Sequence, residues 1–130
     1  MKIKILDCTL RDGGYYNNWK FSKTQIEEYL KNIYHSKIDY VEIGFRFFKK
    51  NPDYGKLAFS DDKFISSLKL KNKPLYSIMV NSADLVLDKD LLQTKLMFPK
   101  KKKSKISIVR IAVNYPLIFQ ITDHLKFFQN

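Results

Sequence analysis

Five charged residues stand where apolar segments would otherwise run on: Arg11, Asp12, Glu42, Arg46 and Arg110. In "LDCTLRDGGYYNNW", Leu6 to Trp19, a short apolar run ends on Arg11 and Asp12, and Gly13 and Gly14 follow. A turn would use the glycines but has no need of a cation beside an anion. In "YVEIGFRF", Tyr40 to Phe47, Glu42 and Arg46 flank Gly44 inside a second apolar run. In "ISIVRIAVNY", Ile106 to Tyr115, Arg110 interrupts a third, which ends on Asn114 and Tyr115. A charge inside such a run costs free energy unless it is paired. Glu42 with Arg11 or Arg110 alone would be a structural ion pair. Arg11, Asp12, Glu42 and Arg46 together point to a polar functional site. Asn81 and Asn114, taken singly, read as turn or cap residues.

The elements that must position these residues can be read from hydrophobic spacing. Ile3 to Leu10 reads as a buried strand, and Arg11 to Phe21 as a polar and aromatic loop. Ser22 and Gln25 form a capping box, and Ile26, Leu30 and Ile33 recur at helical spacing up to about Ser36. Tyr40 to Phe47 is a second strand, rich in β-branched and aromatic residues. Turn signals follow at Asn51-Pro52-Asp53 and Gly55; Ser60 or Asp61 then caps a helix through about Leu70. Pro74 to Asn81 is a third strand. Ser82 to Phe98 is ambiguous, with room for a short helix around Lys89 to Met97. Ile106 to Tyr115 is the clearest strand, and an amphipathic helix from Pro116 to Phe128 follows. Alternation of this kind implies an α/β fold of parallel strands joined by right-handed crossovers. In such folds the site lies at the carboxyl ends of the strands, where the charged residues collect.

At 130 residues the chain fits one domain, and 45% hydrophobic content argues for a packed core. No apolar run is long enough to cross a membrane, and Asp7 interrupts any signal-peptide pattern at the N-terminus. The lone cysteine, Cys8, suits a reducing cytoplasm and reads as a buried strand thiol rather than a nucleophile. The net charge of +11 raises the question of polyanion binding. The basic residues other than the three arginines are lysines scattered through helices and loops, with one dense cluster in "PKKKKSK", Pro99 to Lys105. Such clusters are usually solvated surface. His35 and His124 fall on predicted helices as surface or packing residues and lack metal-ligand spacing.

"LDCTLRDGG" resembles the first-strand signature of the metal-dependent aldolases and Claisen-condensing enzymes. Their shared module is the pyruvate carboxyltransferase, or hydroxymethylglutaryl-CoA lyase-like, domain, a TIM barrel. The longer "LDCTLRDGGYYNNWKF" is closest to bacterial 4-hydroxy-2-oxovalerate aldolase-type members, and "YVEIGFR" fits the second strand. The resemblance implies that Arg11 stabilises an enolate oxygen formed from a 2-oxo acid. It implies that Asp12 ligates a divalent metal, Mg²⁺ or Mn²⁺, and that Glu42 orients the arginine or the metal shell. Arg46 and Asn114 are the expected substrate-binding residues. Tyr15 stands where these aldolases carry a proton-transferring histidine, three residues after the aspartate. Gly13 and Gly14 would let the backbone pass close to the substrate.

The chain departs from the pattern in having no HxH motif for the remaining metal ligands. A whole barrel takes about 250 residues. Residues 1–130 therefore read as a partial aldolase-type domain, the N-terminal half of a TIM barrel with about four strands. Such a half exposes two sheet edges and should self-associate or pair with a complementing half-barrel. It is expected to be inactive, or nearly so, alone. Two alternatives stand beside this reading. One is a basic module that uses Lys100 to Lys103 to bind a nucleic acid or an acidic protein, and it is disfavoured because the arginines lie elsewhere. The other is a complete small α/β domain of flavodoxin-like type, disfavoured because this chain has no glycine-rich phosphate loop: "LRDGG" matches neither GxGxxG nor GxxxxGK[ST].

Overall fold

The computed structural model of the chain describes residues 2–98 and 104–129. Pro99 to Lys103, most of the lysine run, lie outside the described residues. Four strands form one parallel sheet in the order β1-β2-β3-β4: Leu6–Asp7 (β1), Tyr40–Phe45 (β2), Leu75–Asn81 (β3) and Ile106–Ala112 (β4). Helices alternate with them: Thr9–Asn17 (α1), Lys23–His35 (α2), Asp62–Ser67 (α3), Ser82–Leu87 (α4), Leu92–Met97 (α5) and Thr122–Gln129 (α6). The fold is α/β, four parallel strands with alternating helices, consistent with half of a barrel. Among the described residues no helix is long and apolar enough to cross a membrane.

Strand alternation gives the sheet two different faces. Val41, Ile43, Tyr76 and Ile78 are buried on one, in a core shared with Ile26, Leu30 and Ile33 of α2 and Ile65 of α3. Val80 extends that face to Leu85 of α4 and to Ile121, with Leu125 and Phe128 of α6 packed alongside. The register pairs Leu6 with Tyr40, Glu42 with Ser77, Ser77 with Ile108 and Met79 with Arg110, which places these residues on the opposite face. The charged residues of β2 and β4 thus share the face that does not carry the main apolar core.

The capping box is present: Ser22 Oγ accepts from the Gln25 amide and Gln25 Oε1 from the Ser22 amide. The helix α3 is capped by Asp61, whose carboxylate accepts from the Phe64 amide, while Ser60 Oγ donates to the Leu57 carbonyl. The ambiguous stretch holds two helices rather than one. Asp88 joins them, accepting from the Gln93 amide and from the amide and hydroxyl of Thr94. Burial works to raise its pKa, but these hydrogen bonds outweigh it and hold the carboxyl below its usual range. His124 is a buried packing residue, its Nε2 3.0 Å from the Asp88 carbonyl. The closing segment begins as a 3-10 helix, Tyr115–Ile121, with Pro116 in its first turn, before α6.

The largest departure from the sequence reading is at the N-terminus. The first strand is only two residues long, and Ile3 and Ile5 are exposed. Thr9–Asn17 is helical where the end of a strand, Thr9 and Leu10, and a loop from Arg11 were expected. Asp7 accepts from the amide and hydroxyl of Thr9, and the Asp12 amide donates to the Cys8 carbonyl, which closes the first helical turn. The helix stops at Asn18, where φ reaches 55°. Gly14 lies inside it for a packing reason: a Cβ there would fall 1.9 Å from Cδ1 of Trp19. Both glycines belong to a helix and do not form the expected turn, and Gly14 seats the indole.

Candidate functional site

Arg11, in the first turns of α1, is carried over the sheet by the short β1. Its Nε donates to Glu42 Oε2 at 2.7 Å. Trp19 Nε1 donates to the Arg11 carbonyl at 3.0 Å, which ties this part of the helix to the aromatic cluster beneath it. Arg110 reaches back over β3 from β4, and its Nη1 lies 3.0 Å and 3.2 Å from the two Glu42 oxygens. The β3 residue paired with Glu42 is Ser77, whose short side chain leaves room for that crossing. Glu42 is 0% exposed and is held between two guanidinium groups. Burial alone would lower the pKa of Arg11, but the hydrogen bond and charge of Glu42 outweigh it, and the net shift is upward. Cys8 Sγ accepts from Arg110 Nη1 at 3.4 Å, and burial, reinforced by Glu42, pushes its thiol up.

The predicted residues fall into two groups. Arg11, Asp12 and Glu42 converge: Asp12 pairs with Arg11 Nη1, and its side chain is 58% exposed. Tyr15 lies one turn further along α1, its ring set edge-on against Trp19 and Phe45. Arg46 does not join them, which corrects its expected place. A register irregularity between Glu42 and Phe45 breaks the alternation that would have put residues 42, 44 and 46 on one face. Arg46 is instead 1% exposed, donates to the carbonyls of Ser60 and Met97, pairs with Asp62 and lies over the Phe98 ring. Those partners are structural. Asn114 is exposed and precedes the 3-10 helix, its carbonyl accepting from the Leu117 amide. Its side chain makes no hydrogen bond to the Arg11 group. Asn81 caps α4 through the Ala83 amide, as a cap residue should.

Arg110 and Cys8 are the members that sequence reasoning left out of the site. Arg110 was visible as a charge inside an apolar strand, but its partner was open. No comparable signal marked Cys8. Of the divalent-metal site implied by the motif, this chain offers the one carboxylate Asp12. Among the described residues no group of three His, Cys, Asp or Glu side chains could hold an ion. Glu42 is occupied by two arginines and Asp12 by one.

The arrangement is a charge-balanced cluster on one face of a parallel sheet: the guanidinium groups of Arg11 and Arg110 are locked by the buried Glu42 carboxylate, with Asp12 beside Arg11. No protein-family model matches the chain, and no curated protein does. Among solved structures the chain is similar to "the N-terminal domain of a putative aldolase from Bacteroides vulgatus", with 29% sequence identity and a TM-score of 0.74. The match covers 98% of this chain and 42% of that one. The chain therefore spans less than half the length of its solved neighbour.

Proposed function

We propose that this chain is the N-terminal half of an aldolase-like (β/α) barrel and carries the enolate-holding side of a carbon–carbon lyase site for 2-oxo acids. The observation that carries this reading is the Arg11–Glu42–Arg110 group, with Arg11 in the "LRDGG" motif. The solved neighbour, described as "the N-terminal domain of a putative aldolase", supports the same class. Cleaving the C3–C4 bond of a 4-hydroxy-2-oxo acid leaves the electron pair on the 2-oxo fragment as an enolate. The proton of the 4-hydroxyl group must leave to a base, and the enolate carbon must then gain a proton. Arg11 would hold the enolate oxygen, and Arg110 the neighbouring carboxylate. Glu42 fixes both guanidinium groups before substrate arrives, so no reorganisation is needed as charge develops. The Tyr15 hydroxyl, on the rim of the site, is the group assigned to proton exchange. The second half of the barrel would close the site to water and strengthen these interactions.

The test is pyruvate release from 4-hydroxy-2-oxo acids in the presence of Mn²⁺. Negligible turnover is expected from the 130-residue chain and measurable turnover from the chain joined to a complementary four-stranded half. In the joined protein, Arg11→Ala should lower turnover by about 10²–10³-fold, the loss typical of removing one oxyanion donor. Full activity in that variant would contradict the assignment of Arg11.

A further inference from the structure

We propose that the Tyr15 ring forms an apolar wall beside the Arg11 site and selects 2-oxo acids that carry an aromatic group. This rests on the 2-oxo acid reading above and adds the chemical class of the substrate's side chain. Arg11 and Tyr15 are four residues apart on α1, so they lie on one face of that helix, one turn apart. Both rest on Phe45: the Arg11 guanidinium carbon is 5.8 Å from its ring centroid, and the Tyr15 ring is 6.0 Å from it. Trp19 holds Tyr15 from a second side at 5.0 Å. Tyr15 is nevertheless 61% exposed. An exposed aromatic ring held by two buried ones is a preorganised surface, and it stands directly beside a fixed cation. The complementary ligand has a carboxylate for the arginines and a flat apolar body for the ring.

Tyr16 supplies the internal contrast. It is 96% exposed, turned about 100° around the helix from Tyr15, and has no ring contact among the described residues.

The experiment is calorimetric titration of the 130-residue chain with pyruvate and with phenylpyruvate. Wild type should bind phenylpyruvate about three- to tenfold more tightly than pyruvate, the effect of one aromatic pair. Tyr15→Ala should bring the two affinities within about twofold of each other. Tyr15→Phe, which keeps the ring and loses the hydroxyl, should preserve the preference, and so should Tyr16→Ala. Equal affinities in wild type, or an undiminished preference in Tyr15→Ala, would overturn the proposal while leaving the 2-oxo acid reading in place. Binding of neither compound, or binding indifferent to Arg11→Ala, would overturn both.

Discussion

Glu42→Ala should destabilise the chain by about 3 kcal/mol, more than most single substitutions. The carboxylate is fully buried and is the shared partner of Arg11 and Arg110. Its removal leaves one largely buried guanidinium group and one partly exposed one facing each other without an intervening charge. The loss falls at the lower end of the range for broken buried pairs because Arg110 is 38% exposed and water screens it. Glu42→Gln should recover little. Its amide keeps the volume but turns N–H donors towards guanidinium donors. The double variant Glu42→Leu, Arg11→Met should be more stable than Glu42→Leu alone, since it also removes the more buried of the two stranded charges. Urea unfolding checks all three. A loss below about 1 kcal/mol in Glu42→Ala would mean that solvent already compensates the arginines.

Gly44→Ala is expected to cost about 3 kcal/mol or more and to leave the chain partly unfolded. Gly44 lies in β2, and a Cβ there would fall 2.0 Å from the carbonyl oxygen of Leu57 and 2.8 Å from Ser60 Oγ. The obstacle is backbone, which cannot swing aside as a side-chain tip does. Leu57 and Ala58 are themselves buried, and the Ser60 carbonyl holds Arg46, so a shift of that segment disturbs the core and a buried cation together. Gly13→Ala is the control. Its Cβ would meet only Phe21 Cζ at 3.4 Å, an ordinary contact, and replacing a helical glycine should stabilise by about 0.5–1 kcal/mol. Thermal unfolding of the two variants should move in opposite directions.

The strands and their order were legible because parallel strands covered on a face read as continuous apolar runs: β2, β3 and β4 lie within the expected segments. The capping box of Ser22 and Gln25 was legible because it is a local interaction. The helix α1 was not. Two adjacent glycines argue for a turn by local propensity, and the reason that Gly14 stands in a helix is tertiary: Trp19, five residues beyond it, needs the space of a missing Cβ. Arg11, Glu42 and Arg110 were visible as charges that must be paired. Arg46 was visible in the same way and was misplaced, because period-two alternation cannot foresee an irregularity within β2. Counting charges located the buried cations, while only the register told which of them share a face.

The chain has three arginines, and their side-chain Nε–H signals offer a direct test of where a 2-oxo acid binds. In a ¹⁵N-labelled sample, Arg11, Arg46 and Arg110 can each be assigned by substitution and followed while pyruvate is added. The account predicts that the Arg11 and Arg110 signals shift together along one saturable curve while Arg46, enclosed by Ser60, Asp62 and Met97, stays in place. A shift confined to Arg46, or no shift at any of the three at saturating pyruvate, would contradict it.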